Sequence, residues 1–431
     1  MEIEIIALLF FISIFIALLS GYPVAFVLGG LSIWVGWWLT PDFLDFLPLR
    51  VMGTIQNYVL LSVPMFIFMG LVLEKSGIAE GLLVTMSRLF GKMRGGLAIS
   101  VVLVGTMLAA STGIVGATVI TMGLISLPIM LKSGYSPKLA TGIIAGSGTL
   151  GQIIPPSVVL ILLGSVLNVS IGDLFKAALI PGILIALAYI VYILILSVWF
   201  PKQIPAPSTA DQMPLKANKK DMMLTFILPF SLIVLVLGSI FFGIASATEA
   251  SAVGAVGAIL MAVFKQKMDA TTLKNISFET MYLTSMVFMI LVGATAFSLV
   301  FRGLGGDKIL VHLVESNALT KVQFLVFVMV VIFIAGFFID FIEIVFIIIP
   351  IVAPIFAKFH FDPIYIGILV ALNIQTSFLT PPFGFALFYL KGVAPAEVSI
   401  KDIYKGVIPF IIIQLFILLL VALLPNILNL L

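Results

Sequence analysis

A succession of apolar segments, each about as long as a bilayer's hydrocarbon core is thick, constrains this chain more than any other feature. A helix needs about 20 apolar residues to cross that core, and in lipid only helices and closed barrels satisfy their own backbone groups. The spacing predicts spans near 3–20, 23–40, 55–73, 139–165, 173–200, 223–243, 247–264, 280–301, 364–390 and 407–430. Two further apolar stretches, 96–131 and 322–357, lie between charged ends. Each is interrupted near its middle, by Ser111-Thr112-Gly113 and by Asp340 to Glu343. We read them as helical hairpins that return to the side they entered from; the alternatives are two ordinary spans or one long tilted one. Composition agrees with lipid as the solvent: 62% of residues are hydrophobic and 10% charged, against about 25% charged in a soluble domain. The expected fold class is an all-α polytopic membrane protein.

Several functions fall away at this point. The absence of cysteine excludes disulfides, thiolate metal sites and cysteine nucleophiles. Two histidines, His312 and His360, are too few for a metal cluster. His312 reads as part of a solvated amphipathic face beside Glu315, and His360 as a loop residue near Asp362. The net charge of +3 is no nucleic-acid footprint. The first segment lacks a basic n-region and a cleavage site, so it reads as a helix and not a signal peptide. Arg302 and Asp307 bracket a glycine-rich turn without the strand and helix context of a nucleotide loop, and no Walker motif is present, so ATP is not the direct energy source.

Charge sets the orientation. With the N-terminus outside and both hairpins returning, inside loops hold 16 of the 22 basic residues and outside loops 6, among them Arg50 and Arg302; the positive-inside rule favours this arrangement. Trp34, Trp37 and Trp38 suit an interfacial belt. The polar stretch 201–222, rich in Pro and Lys, reads as a cytoplasmic linker between repeats at 1–200 and 223–431. The two parts match without a gap at an offset of 226 residues over about 90 positions: Gly77 with Gly303, Pro128 with Pro354, Pro137 with Pro363, and Pro155-Pro156 with Pro381-Pro382. An odd number of crossings separates equivalent points, so the repeat is expected to be inverted, the architecture of alternating-access carriers.

The chemistry is expected where the helices break. Equivalent interruptions run from Gly146 to Pro156 and from Asn373 to Pro382. Proline removes backbone donors and frees carbonyls upstream, and small residues let a ligand approach the backbone. Carbonyl and hydroxyl oxygens suit Na⁺, and half-helix N-termini suit a carboxylate. The expectation is two related cation sites flanking one anion site near the midplane. The bland alternative is that these residues are kinks and close-packing points. Asp340 and Glu343 are acidic within an apolar stretch and so are functional candidates. Asp340 is expected to serve the cation site, with plain helix capping as the alternative, and Glu343 to reach water at the hairpin mouth. Ser246-Ala-Thr-Glu249 has capping-box spacing, and capping is its expected role.

The run Gly148-Thr-Leu-Gly-Gln-Ile-Ile-Pro-Pro-Ser157 resembles the signature of the large membrane subunit of tripartite ATP-independent periplasmic (TRAP) transporters. So do Leu379-Thr-Pro-Pro-Phe-Gly-Phe385, Lys391-Gly-Val-Ala394, Gly21-Tyr-Pro-Val-Ala-Phe26, Arg94-Gly-Gly-Leu-Ala98 and Thr248-Glu-Ala-Ser-Ala-Val-Gly254, in order along nearly the whole chain. The resemblance implies an elevator-type fold with a scaffold and a mobile transport domain, in the bacterial inner membrane with a periplasmic N-terminus. It implies Na⁺-coupled import of an organic anion, with Na⁺ as coupling ion and no cofactor. The implied partners are a small four-helix membrane subunit and a soluble periplasmic substrate-binding protein. Because the chain begins at its own first span, the small subunit is not expected to be fused to it.

Carried over by motif, one cation site uses Ser111, Thr112 and Gly113 with Ser147, Gly148 and Thr149. The other uses the tip from Gly336 to Asp340 with Gln375, Thr376, Ser377 and Thr380. The substrate is expected against Ser111, Thr112, Asn373 and the double prolines Pro155-Pro156 and Pro381-Pro382. The first tip, Ala-Ser-Thr-Gly-Ile-Val-Gly116, and Gly-Phe-Phe-Ile-Asp-Phe-Ile-Glu343 look closer to the branch usually labelled mannitol or chloroaromatic. This favours a monocarboxylate or 2-oxo acid over a C4-dicarboxylate. The competing reading is a stand-alone Na⁺/organic-anion symporter of the same superfamily, which needs no binding protein. A membrane enzyme fits poorly, for want of paired metal ligands or a nucleophile with its base, and a passive channel does not need the inverted repeat.

Overall fold

The computed structural model describes residues 2–90, 93–201, 204–205, 219–265, 268–316 and 319–429, so most of the expected 201–222 linker lies outside the described residues. The elements are helical throughout. Through residue 199 they are α1 (Glu2–Leu19), α2 (Val24–Leu39), the short α3 (Pro41–Leu44), α4 (Leu47–Ile55), α5 (Ser62–Lys75), α6 (Ile78–Phe90), α7 (Gly96–Thr112), α8 (Val115–Lys132), α9 (Pro137–Thr149), α10 (Val158–Leu167) and α11 (Ile171–Trp199). Then come α12 (Lys219–Phe241), α13 (Ala247–Phe264), α14 (Ala270–Gly303), α15 (Gly306–Ser316), α16 (Lys321–Ala335), the single turn α17 (Phe341–Glu343), α18 (Ile349–Lys358), α19 (Pro363–Leu379), α20 (Phe385–Val393) and α21 (Ile400–Leu423). Among the described residues, seven helical stretches are long and apolar enough to cross a membrane, and seven shorter apolar helices accompany them. The chain is a multi-pass membrane protein.

Local sequence accounts for most boundaries. Ser246 and Glu249 form the expected capping box at α13, and Thr320 with Gln323 forms another at α16. Pro137 and Pro363 sit in the first turns of α9 and α19, where a missing N–H costs nothing. Gly113 closes α7 with φ +62°, which an L side chain rarely adopts. His360 also has positive φ, in the turn after α18, and is exposed. Trp34, Trp37 and Trp38 lie on the surface, as an interfacial belt requires.

The helices pack in two groups. In one, α14 lies along α2 and α5, and α13 lies along α5. In the other, α9 packs on α21, α7 and α8, and α19 packs on α16, α10 and α21. The α9–α21 crossing is a backbone contact. A Cβ on Gly142 would strike the Gly406 carbonyl, and one on Gly406 would strike that of Lys138. Without water to drive apolar association, such small-residue crossings let dispersion and lipid release hold helices together. The tip of α7 bridges the groups: a Cβ on Gly70 of α5 would meet Thr112 and lie 2.7 Å from the Ser111 carbonyl.

Candidate functional site

The first break lies further along the chain than expected. Gly146, Ser147, Gly148 and Thr149 remain in α9, followed by one 3-10 turn, Leu150–Gln152. The interruption itself runs from Ile153 to Ser157, because only the prolines lack N–H groups and Gly146–Thr149 keep theirs in the helix. Ser157 then restarts the chain as the cap of α10, accepting from Leu160 N (3.4 Å) and donating to Gln152 O (2.8 Å). The α7 tip sits on this break. A Cβ on Gly113 would lie 3.0 Å from Val158 N, and one on Gly151 2.6 Å from Ala109 O. Ser111, Thr112, Gly113, Ser147, Gly148, Thr149, Pro155 and Pro156 are therefore brought together, all buried.

The second break shows the same shift. Asn373, Gln375, Thr376 and Ser377 are helical, and the interruption is Thr380–Gly384. Gly336 ends α16 against Ser377, whose side chain occupies the space a Cβ would need. Asp340 then caps α17 by accepting from Phe341 N at 2.7 Å. A π-helical turn, Ile344–Ile348, leads into α18; such turns recur at functional sites. The two double-proline turns share a cis bond but differ in setting. Pro155 and Pro156 are buried, whereas Pro382 is exposed and its carbonyl accepts from the Tyr404 hydroxyl at 2.7 Å. Asn373 is committed to packing, donating to the Met329 carbonyl of α16 at 2.7 Å.

The hydroxyl chemistry is uniform. Ser111 and Thr112 donate to Leu108 O, Ser147 to Ile144 O and Thr149 to Gly146 O. Thr376 donates to Leu372 O, Ser377 to Ile374 O and Thr380 to Thr376 O. Each hydroxyl has an acceptor on the preceding turn, so its oxygen keeps lone pairs able to accept or coordinate, although that of Thr112 lies 2.8 Å from Thr118 Oγ1. Two half-helices have no side-chain cap: α8, entered through Ile114, and α20, entered through Gly384. They run side by side, Gly116 against the Tyr389 ring at 3.2 Å and Gly123 against Val393 at 2.7 Å (both from a built Cβ). Their orphan N–H groups start from the same end, a setting for an anion.

Gln152 acquires an importance that sequence reasoning missed, beside Gln375, which the sequence had already marked as a site residue. Gln152 and Gln375 are fully buried, and among the described residues none of their four amide atoms has a hydrogen-bond partner. The 3-10 turn carrying Gln152 packs against α19, which carries Gln375. The signal for Gln152 was an amide in an otherwise apolar Gly-Gln-Ile-Ile-Pro run. Glu343 corrects an expectation. It does not reach water but is 4% exposed, with Oε2 unpartnered among the described residues, because α17 lies against α10 and α14. Thr149 also receives a hydrogen bond from Gln414 of α21 (3.2 Å), whose amide donates to Tyr189 OH as well (2.7 Å).

Comparisons with known proteins show the family to which the chain belongs. The C4-dicarboxylate TRAP transporter large permease protein DctM of Pseudomonas aeruginosa is 31% identical over 387 residues, covering 90% of this chain and 89% of that protein. The ectoine TRAP transporter large permease protein TeaC of Halomonas elongata is 28% identical, covering 95% of each. The crystal structure of the Alcanivorax borkumensis YdaH transporter, described as having an unusual topology, superposes with TM-score 0.66 over 93% of this chain and 96% of that one. At 14% identity, that likeness speaks for the fold alone. The family profile described as the tripartite ATP-independent periplasmic transporter, DctM component, matches residues 11–427. The chain belongs to this transporter family and is a membrane permease, not an enzyme.

Proposed function

We propose that this permease imports an organic anion across the bacterial inner membrane, coupled to Na⁺, by elevator-type alternating access. The observation that carries the reading is the pair of breaks, where hydroxyls bonded to their preceding turns share elements with two buried glutamines that have no hydrogen-bond partner among the described residues. Buried amides cost about 1–3 kcal/mol each when unpaired, and a cation with its anion would supply what they lack. Na⁺ is bound by Ser111, Thr112, Gly113, Ser147, Gly148 and Thr149 in the first half. In the second it is bound by Gly336, Asp340, Gln375, Thr376, Ser377 and Thr380. Gln152 joins the first set. The anion sits between them, against the double prolines and the uncapped starts of α8 and α20.

In this reading α7–α8 and α16–α18 are re-entrant hairpins of an inverted repeat, residues 1–200 and 223–431, with a periplasmic N-terminus. The group of α2, α5, α13 and α14 is the scaffold, and the hairpins with α9–α10 and α19–α20 move against it. The partners are a small four-helix subunit and a periplasmic binding protein, and the substrate is a monocarboxylate or 2-oxo acid of the kind handled by the mannitol/chloroaromatic branch. The relatives carry names as diverse as C4-dicarboxylate, sialic acid, isethionate and ectoine transporters, so substrate class varies within this fold. The test is uptake of radiolabelled organic acids into proteoliposomes holding the chain and its small subunit, with Na⁺ gradient and binding protein each present or absent. Uptake that needs both supports the proposal. Uptake without the binding protein favours the stand-alone symporter, and uptake indifferent to Na⁺ removes the coupling.

A further inference from the structure

Away from the breaks, a cleft of about 420 Å³ opens between the two helix groups. One wall is α4 and the C-terminal part of α14; the other is the end of α10 and the π-helical turn with Pro350. Arg50 and Arg302 both line it, from opposite elements of the first wall, together with Asn57, Asn168, Ser165 and Ser298. Arg302 also borders a smaller adjoining cavity with Asp307. Among the described residues, neither guanidinium is held by a carboxylate in an ion pair. The Asn57 amide reaches across the cleft to Ser165 Oγ at 3.0 Å, so the walls already touch through polar atoms.

We propose that this cleft is a second anion site, an antechamber that captures the carboxylate of the transported acid before it reaches the breaks. Two guanidiniums offer planar, permanently charged forks for a carboxylate, and the neutral amides and hydroxyls suit a substrate's oxo or hydroxyl groups. The volume is that of a small-molecule site; a docked protein would instead need about 800 Å² of surface per partner. The second wall is continuous with the first break and with the tip of the second hairpin: α10 begins at the residue after Ser157, and the π-helical turn begins at the residue after Glu343. The charge distribution of the sequence puts both arginines on the periplasmic side. A positive cleft there concentrates anions and raises their rate of capture. The proposal rests on the organic-anion reading above.

The test is chemical protection, which needs no transport. The purified chain in neutral detergent is treated with phenylglyoxal, and modification of each arginine is read by mass spectrometry. The probes are succinate, pyruvate and phosphatidylglycerol, each against chloride at equal ionic strength. Succinate or pyruvate should slow modification of both Arg50 and Arg302 by about tenfold, the scale of one charge-assisted hydrogen bond, and leave Arg94, which is exposed like them but lies outside the cleft, unchanged. Arg302→Gln should abolish protection of Arg50. Protection by neither carboxylate overturns the proposal, as does equal slowing at Arg94. Protection by phosphatidylglycerol alone overturns it too, and makes the cleft a lipid-headgroup pocket. Protection with no uptake in proteoliposomes keeps the cleft and removes the transport reading; uptake without protection does the reverse.

Discussion

Gln375→Met separates a functional amide from a structural one, because the two roles predict opposite signs. Gln375 is fully buried in α19 and neither of its amide atoms finds a partner among the described residues. Burying an amide without hydrogen bonds costs about 1–3 kcal/mol by protein mutational measures. Methionine has a similar unbranched shape without polar atoms, so its packing penalty is less than about 1.5 kcal/mol. The ligand-free variant should therefore lie between about 0.5 kcal/mol below the parent and about 3 kcal/mol above it. A midpoint shift per kcal/mol falls as a chain lengthens, to roughly 1–2 °C at this size by extrapolation from smaller domains. A rise of up to about 6 °C is expected. Parent protein should also gain stability from Na⁺ by mass action, and the variant should lose that gain. The assay is thermal unfolding of purified protein in detergent, with NaCl against choline chloride, alongside Na⁺-driven uptake. A fall in midpoint of more than about 1 °C without Na⁺, or an undiminished Na⁺ effect, would refute the reasoning and return Gln375 to the structure.

Other perturbations test neighbouring claims. Asp340→Asn keeps an oxygen to accept from Phe341 N, so insertion and stability should hold while coupled uptake falls at least about tenfold, the scale of a lost charge contact; normal uptake with unchanged Na⁺ dependence removes Asp340 from the site. Gly336→Ala forces a methyl onto the Ser377 side chain; it should destabilise by about 1–3 kcal/mol and impair uptake, and adding Ser377→Ala should recover part of the stability but not the uptake. Lys75 and Glu279 join α5 to α14 at 3.2 Å, but both are nearly half exposed; a double-mutant cycle should give about 1 kcal/mol or less, and a larger coupling would show that this surface pair fixes the helix group. Tyr404→Phe removes the hydroxyl that meets the Pro382 carbonyl; about 1 kcal/mol of stability should be lost, measured by the same melts.

Much of this protein was written locally. Span length, proline and glycine positions, and capping residues each act within a few residues of themselves. Hence the helices, the capping box at Ser246, the position of α19 and the interruption at Gly113 could all be read from the chain. The resemblance to TRAP permeases rested on contiguous motifs, and the family match confirmed it. Where each break begins was less legible. Small residues tolerate both a helix and a kink, and Gly146–Thr149 and Asn373–Leu379 stay helical because α21 and α16 pack along them. Glu343 and Gln152 show the limit most plainly. A carboxylate near a turn and an amide beside prolines look alike in sequence whether they face water or the core. Only the packing of α17 on α10 and α14, and of the Gln152 turn on α19, decides that both are buried. Burial depends on which surfaces meet across hundreds of residues, and no local pattern encodes that meeting.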